Sequence, residues 1–411
     1  MKPQTDKSFP TGDEFNALLD PIGMDTFISD YADKQSLLIK GRKDKFAFLK
    51  FNVEEFFSSA ENFGNQYDRV KVGLNIEGEW ERYQEIFPFQ ARALYRSGMT
   101  VCVAGISDIN PRLGAYAEGV RLALNIPDLR FNSYLSPDKG GFDLHYDNTP
   151  IFLLQIAGKK KWWYGKGTIQ PMPEGPSRDY FPKPQLEELE YCELEPGDVL
   201  YLPGFTWHHA EAIGFSLGLT LSAKGVHDDL IKAVLKNAPF SEDVPHIEQQ
   251  PPIAPADVPV TGVPEAARNY LAGQLDALKT YVAGLTVDDM WTAWSREVQV
   301  AKGPVIPVNT QRVTEDTLLQ RKSAFPVVVD KTVREGDNQV LVVRHACRQA
   351  VLGVDAEVLV KWLLDHSETL RAGDAAIQAG VGEKIGWLDL QQVLQALVSI
   401  GVLQVITVRS S

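Results

Sequence analysis

The chain has 411 residues, room for two or three domains, and its 44% hydrophobic and 23% charged content excludes a mainly disordered protein. The net charge is −13, from 41 basic and 54 acidic residues, which disfavours direct DNA binding and suits a basic partner. No apolar run approaches the ~20 residues that cross a bilayer, and the N-terminus MKPQTDKSFPTGDEF lacks an apolar leader, so neither a membrane span nor a secretory signal is expected. Cys102, Cys192 and Cys347 are too widely spaced for a metal motif or a disulfide framework, and they fit a reducing cytoplasm.

The first hundred or so residues read as α/β, with helices expected at Glu14–Leu19 and Asp25–Tyr31. Leu113–Leu124 reads as an amphipathic helix. From Arg130 to Ala223 the pattern changes to short strands with turns: RFNSYL, FDLHYD, IFLLQIAG, KKWWYG, DVLYLP and FSLGLTLSA. Many strands of this length point to a sandwich or barrel. IFLLQIAG and KKWWYG look like the arms of a hairpin with Lys160 on its second strand, the plain alternative being that Lys159, Lys160 and Lys161 are three solvated lysines of a turn. Residues 238–264 hold seven of the 25 prolines, so an extended surface connection is expected there. Glu265–Val300 carries Tyr270, Leu271, Leu275, Leu278, Val282, Met290, Trp291 and Trp294 at helical spacing and predicts a helical pair. The rest reads strand (QVLVVRH), helices at Ala356–His366, Glu368–Gln378 and Leu388–Ile400, then strand (VLQVITV), the order of a winged-helix-like domain. Val333–Ser411 has seven Lys/Arg and nine Asp/Glu, which favours a structural or protein-contact role over DNA.

The chemistry is concentrated in GGFDLHYDNTPIFLLQIAGKKKWWYG. His145 and Asp147 are two apart, so on a strand both side chains leave the same face and can meet one metal. The pair alone is weak, because a strand histidine is more often hydrogen-bonded than metal-bound. A third ligand is available in EPGDVLYLPGFTWHHAEA, from His208 or His209. Two histidines and a carboxylate with open positions form the facial triad of non-haem Fe(II) oxygenases. Alternation turns Lys160 the opposite way from Lys159 and Lys161. Pointed inward it needs an anion, and a dicarboxylate cosubstrate is one.

These residues carry a resemblance. The sequence is similar to the JmjC-type, cupin-like 2-oxoglutarate oxygenases, and among them to the ribosomal oxygenases that hydroxylate ribosomal proteins. The matching features are N-x-Y at Asn132 and Tyr134, H-Y-D at 145–147, the strand ending in Trp162, E-P-G-D-V-L-Y-L-P and G-F-x-W-H. The phrase YADKQSLLIKG and the order of the later helices extend it over nearly the whole chain. The resemblance implies a mainly β core, a double-stranded β-helix (JmjC/cupin jelly roll) with flanking helices. It divides the chain into an oxygenase domain at 1–237 with its barrel core at about 130–225, a linker at 238–264, a helical element at 265–325 that is a candidate for dimerisation, and a winged-helix-like domain at 326–411. It implies that His145, Asp147 and His208 bind Fe(II), and that Lys160 pairs with the distal carboxylate of 2-oxoglutarate. Asn132 and Tyr134 lend hydrogen bonds, and Thr220 is a further candidate contact. His208 is preferred because the family's ligand follows the aromatic directly.

The implied activity is O2-dependent hydroxylation of a protein or peptide side chain, with a homodimer as the working form. Two alternatives remain at this stage: a tailoring hydroxylase of a peptide or amino acid, and a catalytically silent cupin-like binding module. Trp162, Trp163 and Trp207 are expected to pack rather than to recognise substrate. His227, His246, His345 and His366 lie outside the strands of the proposed ligands and are set aside.

Overall fold

A computed structural model describes residues 13–76, 79–169, 182–223, 263, 265–299, 311–321, 327–333 and 339–406. Ten strands of the described residues join in one sheet: β1 (Leu37–Ile39), β2 (Val70–Ile76), β3 (Glu79–Ile86), β4 (Thr100–Val103), β5 (Leu129–Pro137), β6 (Gly141–His145), β7 (Ile151–Tyr164), β8 (Glu190–Leu194), β9 (Val199–Leu202) and β10 (His208–Ala223). The order is β1-β9-β7-β10-β5-β4-β2-β3, with β6 on β10 and β8 on β7. Every pairing is antiparallel.

The two long strands β7 and β10 pair along nearly their whole length, and each changes its outer partner part-way. β7 lies beside β9 through Ile151–Leu154 and beside β8 through Lys160–Tyr164. β10 lies beside β6 near His208–Glu211 and beside β5 through Phe215–Ala223. Each strand therefore belongs to two layers, and the result is the expected mainly β jelly-roll core.

Gly158 makes the bend. It has φ +67, and a Cβ there would sit 2.0 Å from the Phe215 carbonyl oxygen. The register with β10 slips between Ile213 and Ser216 at this level. The hairpin expected from IFLLQIAG and KKWWYG is therefore absent. The glycine redirects the chain without reversing it, because β10 continues as partner on both sides. Thr220 shares one continuous strand with His208.

The helix predicted at Leu113–Leu124 runs from Pro111 to Ala123, with Asn110 capping it by accepting from the amides of Arg112 and Leu113. It is not amphipathic: Leu113–Leu122 are all buried. Its two buried charged members satisfy each other, since Arg121 forms a two-pronged ion pair with Glu118. Arg121 also donates to the carbonyls of Ile126 and Val298 and to Cys347 Sγ, while the Cys347 thiol donates to Glu118. Ala346 and Cys347 form the turn that presents this thiol, both with positive φ.

The E-P-G-D turn is structural. Asp198 is buried and accepts from the amides of Gly41 and Glu195 and from the Lys40 ammonium, which fastens the LLIKG segment to the barrel. Phe15, Phe27, Phe152 and Tyr201 interlock at centroid distances of 4.8–5.9 Å and seat the first helices, Glu14–Leu19 and Met24–Thr26 with a π-helical turn at Phe27–Tyr31, on the sheet.

The chain forms two compact units, Met1–Gly225 together with Val298–Ser411, and Val226–Glu297. In the second unit lies the helix Glu265–Gly284, on which Leu271, Leu275, Leu278 and Val282 are exposed; a further helix spans Val287–Val298. Near the C-terminus, β12 (Val327–Val333), β13 (Gln339–His345) and β14 (Arg348–Gly353) form a meander, and β11 (Leu318–Gln320) pairs with β15 (Leu370–Arg371) and β16 (Gln404–Val405). Leu341, Val343, Leu359, Leu363, Leu394 and Leu397 belong to a separate apolar core there. The helix expected at Glu368–Gln378 is shorter, Ala375–Gln378, because Leu370–Arg371 is drawn into the small sheet. Except for Val263, residues 238–264 lie outside the described residues, as does His227. Among the described residues no helix is long and apolar enough to cross a membrane.

Candidate metal centre and cosubstrate cavity

His145 ends β6, Asp147 follows two residues later, and His208 opens β10. The strand register sets His208 opposite His145, with ring centroids 4.3 Å apart. His208 Nε2 lies 3.8 Å from Asp147 Oδ2, and one ligand atom from each of the three residues falls within 4.8 Å of the others. His145 Nδ1 is 2.7 Å from the Asp143 carbonyl, and His208 Nδ1 is 2.9 Å from the Thr206 carbonyl. A carbonyl can only accept, so each Nδ1 carries the proton and each Nε2 keeps its lone pair. This is how a protein presets imidazoles for a metal.

His209 faces away. It packs on Trp163 at 5.3 Å, and burial lowers its pKa. Neighbours on a strand point to opposite sides, so only His208 joins the cluster.

Between the layers a narrow cavity of about 50 Å³ opens from this cluster, walled by Tyr134, Phe142, Leu153, Gln155, Lys160, Trp162, Leu194 and Thr220. Lys160 is 4% exposed, whereas Lys159 and Lys161 pair outside with Glu195 and Glu211. The Lys160 ammonium lies 3.3 Å from Ser136 Oγ and 5.6 Å over the Trp162 ring. Among the described residues no carboxylate pairs with it. Burial therefore pushes its pKa down to about 8. A buried cation with no counter-ion makes the cavity complementary to an anion.

A wider opening of about 530 Å³ lies on the other side of His145 and Asp147. Asn132, Tyr134 and Thr220 line it, with Tyr134 and Thr220 reaching the inner cavity as well. Asn132 accepts from the Gly105 amide at 2.9 Å and stands opposite Thr220 in register. Trp162 and Trp207 are buried, Trp207 edge-on to Tyr146. Of the histidines set aside, His345 bonds the Ile400 carbonyl and His366 stacks on Trp362; His246, like His227, lies outside the described residues.

Gln155 in the cavity wall and Ser136, whose hydroxyl accepts from Lys160, were missed in the sequence. Ser136 follows Asn132 and Tyr134 at strand alternation on β5, a signal that was available. Gln155 enters the cavity from the far side of the Gly158 bend, which alternation alone does not reveal.

Residues 121–228 match the family model of the JmjC domain. This stretch contains His145, Asp147, Lys160 and His208. It is 28% identical over 249 residues to the bifunctional lysine-specific demethylase and histidyl-hydroxylase NO66 of Drosophila grimshawi, a match covering 54% of this chain and 33% of that protein. The human Ribosomal oxygenase 1 is 26% identical over 54% of this chain and 36% of its own length. The chain thus spans about a third of these curated relatives. The structure of Escherichia coli YcfD, described as a ribosomal oxygenase in complex with cobalt and 2-oxoglutarate, aligns at a TM-score of 0.45 and 15% identity, over 92% of this chain and 97% of that one.

Proposed function

We propose that the protein is an Fe(II)- and 2-oxoglutarate-dependent oxygenase that hydroxylates a side chain of a protein, a ribosomal protein above all, with succinate and CO2 as co-products. One observation carries this. The His145–Asp147–His208 cluster shares a cavity with a buried ammonium that has no carboxylate partner among the described residues. A metal alone leaves Lys160 uncompensated, and a metal-chelating dicarboxylate answers both features.

The residues present fit both groups. His145, Asp147 and His208 would hold the metal through two neutral imidazoles and a carboxylate. Lys160 would pair with the distal carboxylate, with Tyr134, Asn132 and Thr220 offering polar contacts along the way. Iron and 2-oxoglutarate together supply O2 activation and oxidation of an unactivated C–H bond when bound. The chain's own part is to hold and orient. Leu153, Trp162 and Leu194 exclude water from the inner cavity, and the wider opening admits the target side chain.

The ribosomal oxygenase relatives support a protein substrate, and the −13 charge supports a basic one. The exposed leucines of the helix Glu265–Gly284 support a homodimer. The three free cysteines support a reducing, cytoplasmic setting for Fe(II). The helices and short strands after residue 326 support a winged-helix-like module, whose acidic balance suits protein contact rather than DNA.

Purified protein given Fe(II), 2-oxoglutarate and O2 should release succinate, and His145→Ala should abolish it. Intact-mass comparison of ribosomal proteins from cells with and without the gene should show one added oxygen on one protein. Succinate release without any such mass difference would redirect the reading to a small-molecule or peptide substrate. No succinate and no retained metal would overturn it.

A further inference from the structure

The wider opening carries a charge for which neither the metal nor the cosubstrate accounts. Lys71 on β2, Cys102 on β4 and Tyr134 on β5 stand opposite one another in register, a cross-strand row whose side chains line the opening beside His145 and Asp147. Glu85 on β3 continues the row, 3.5 Å from the Lys71 ammonium, but it is not part of the wall. It holds the ammonium from behind, in a loose pair whose members are 35% and 39% exposed. Among the described residues the wall has one carboxylate, Asp147, which belongs to the metal cluster. The rest of its polar surface is uncharged and includes Asn132, Asn148, Thr149 and Ser222, the last two with hydroxyl oxygens 3.2 Å apart. A cation entering here meets a like charge and no spare carboxylate. A carboxamide or a neutral imidazole meets donors and acceptors that it can use.

We propose that Lys71 is a specificity-determining residue that bars cationic side chains from the metal, so that the oxidised residue is an uncharged one. This rests on the reading that the site oxidises a protein side chain admitted through the wider opening. A basic partner is compatible with it. The −13 charge of the chain acts at long range on the whole partner, whereas Lys71 acts at contact on a single side chain. Arginine and lysine are excluded as targets. Methylated lysine is excluded with them, because a methylated ammonium needs an aromatic cage or a carboxylate, and of the Phe, Tyr and Trp rings among the described residues the wall offers Tyr134 alone.

The test uses the full chain loaded with Mn(II) and 2-oxoglutarate in the absence of O2. N-acetylarginine amide and N-acetylglutamine amide are added in turn as probes. Relaxation of their side-chain protons in NMR spectra reports approach to the paramagnetic ion, with His145→Ala as the baseline. The glutamine probe should be relaxed about tenfold more strongly than the arginine probe, as a like-charge contact at a half-open site implies. Lys71→Gln should narrow that ratio to about twofold, and Lys71→Glu should reverse it. A merely structural role for Lys71 would move both probes together and leave the ratio unchanged. In cells, fragment masses should place the added oxygen on an uncharged residue. Equal relaxation of the two probes by the unaltered protein, or a ratio unmoved by Lys71→Glu, would overturn the inference. An oxygen added to arginine or lysine, or a methyl group lost from lysine, would do the same. Relaxation of neither probe would also overturn it, since the opening would then admit no side chain. Failure of the unaltered protein to retain Mn(II) or 2-oxoglutarate would instead overturn the oxygenase reading itself.

Discussion

His145 and His208 stand opposite each other across β6 and β10, 4.3 Å between ring centroids, each with Nδ1 held by a carbonyl two residues before it. The backbone thus fixes both tautomers before any metal arrives. His208→Ala should weaken metal binding by about 100-fold or more, whereas His209→Ala, whose ring turns to Trp163, should leave it nearly unchanged. Calorimetric titration with Ni(II) checks both. Equal losses in the two variants would show that the wrong histidine has been assigned.

Lys160 sets a pH dependence. Its pKa in the folded chain is about 8, against an ordinary value of 10.5. Affinity for a dicarboxylate should be flat below pH 8 and fall above it, by up to about tenfold per pH unit, as the ammonium loses its proton. Stability moves the other way. Between the two pKa values the unfolded chain binds more protons than the folded one, so stability should rise with pH across that window. Lys160→Met should flatten this rise, increase the Tm of the unliganded protein by several degrees and abolish 2-oxoglutarate binding. Melting curves from pH 7 to 10 on the two proteins give the comparison.

The Glu118–Arg121 pair is wholly enclosed, with Arg121 0% exposed and Cys347 bridging it. Arg121→Met should destabilise the protein by about 3–5 kcal/mol, because Glu118 is left as a buried charge. Replacing both, Glu118→Leu with Arg121→Met, should recover a large part of the loss. Urea denaturation of the single and double variants measures the difference. A double variant no better than the single one would place the cost in packing rather than in charge.

Two glycines at the bend separate strain from collision. Gly214 has φ +70 with open space around its missing Cβ, so Gly214→Ala should cost about 1 kcal/mol of strain. Gly158→Ala adds a clash with the Phe215 carbonyl and should cost about 2 kcal/mol or more. Only the second should also weaken 2-oxoglutarate binding, since it shifts the strand that carries Lys160. Thermal melts and binding titrations on both variants distinguish the effects.

Much of the site was legible because strand alternation is a local rule. His145 and Asp147 two apart predict a shared face, and Lys160 between two outward lysines predicts the opposite one. Both follow from the pleat without knowledge of the rest. Local rules failed where partners are distant. The lysine triplet resembled a turn because nothing nearby shows that β10 continues past the Gly158 bend. The helix at Pro111–Ala123 resembled an amphipathic one because Glu118 and Arg121 look like surface residues until Cys347 and Val298 are brought against them.

The sequence by itself determined the chemistry on offer: which residue types can ligate a metal, which lysine turns inward and which regions form strands. These follow from side-chain donors and from periodicities of a few residues. Tertiary structure decided which of two adjacent histidines meets the metal cluster, that one bent strand replaces a hairpin, and that Gln155 joins Lys160 in the cavity wall. Those outcomes depend on register between strands far apart in sequence, and register is set by the packing of the whole sheet.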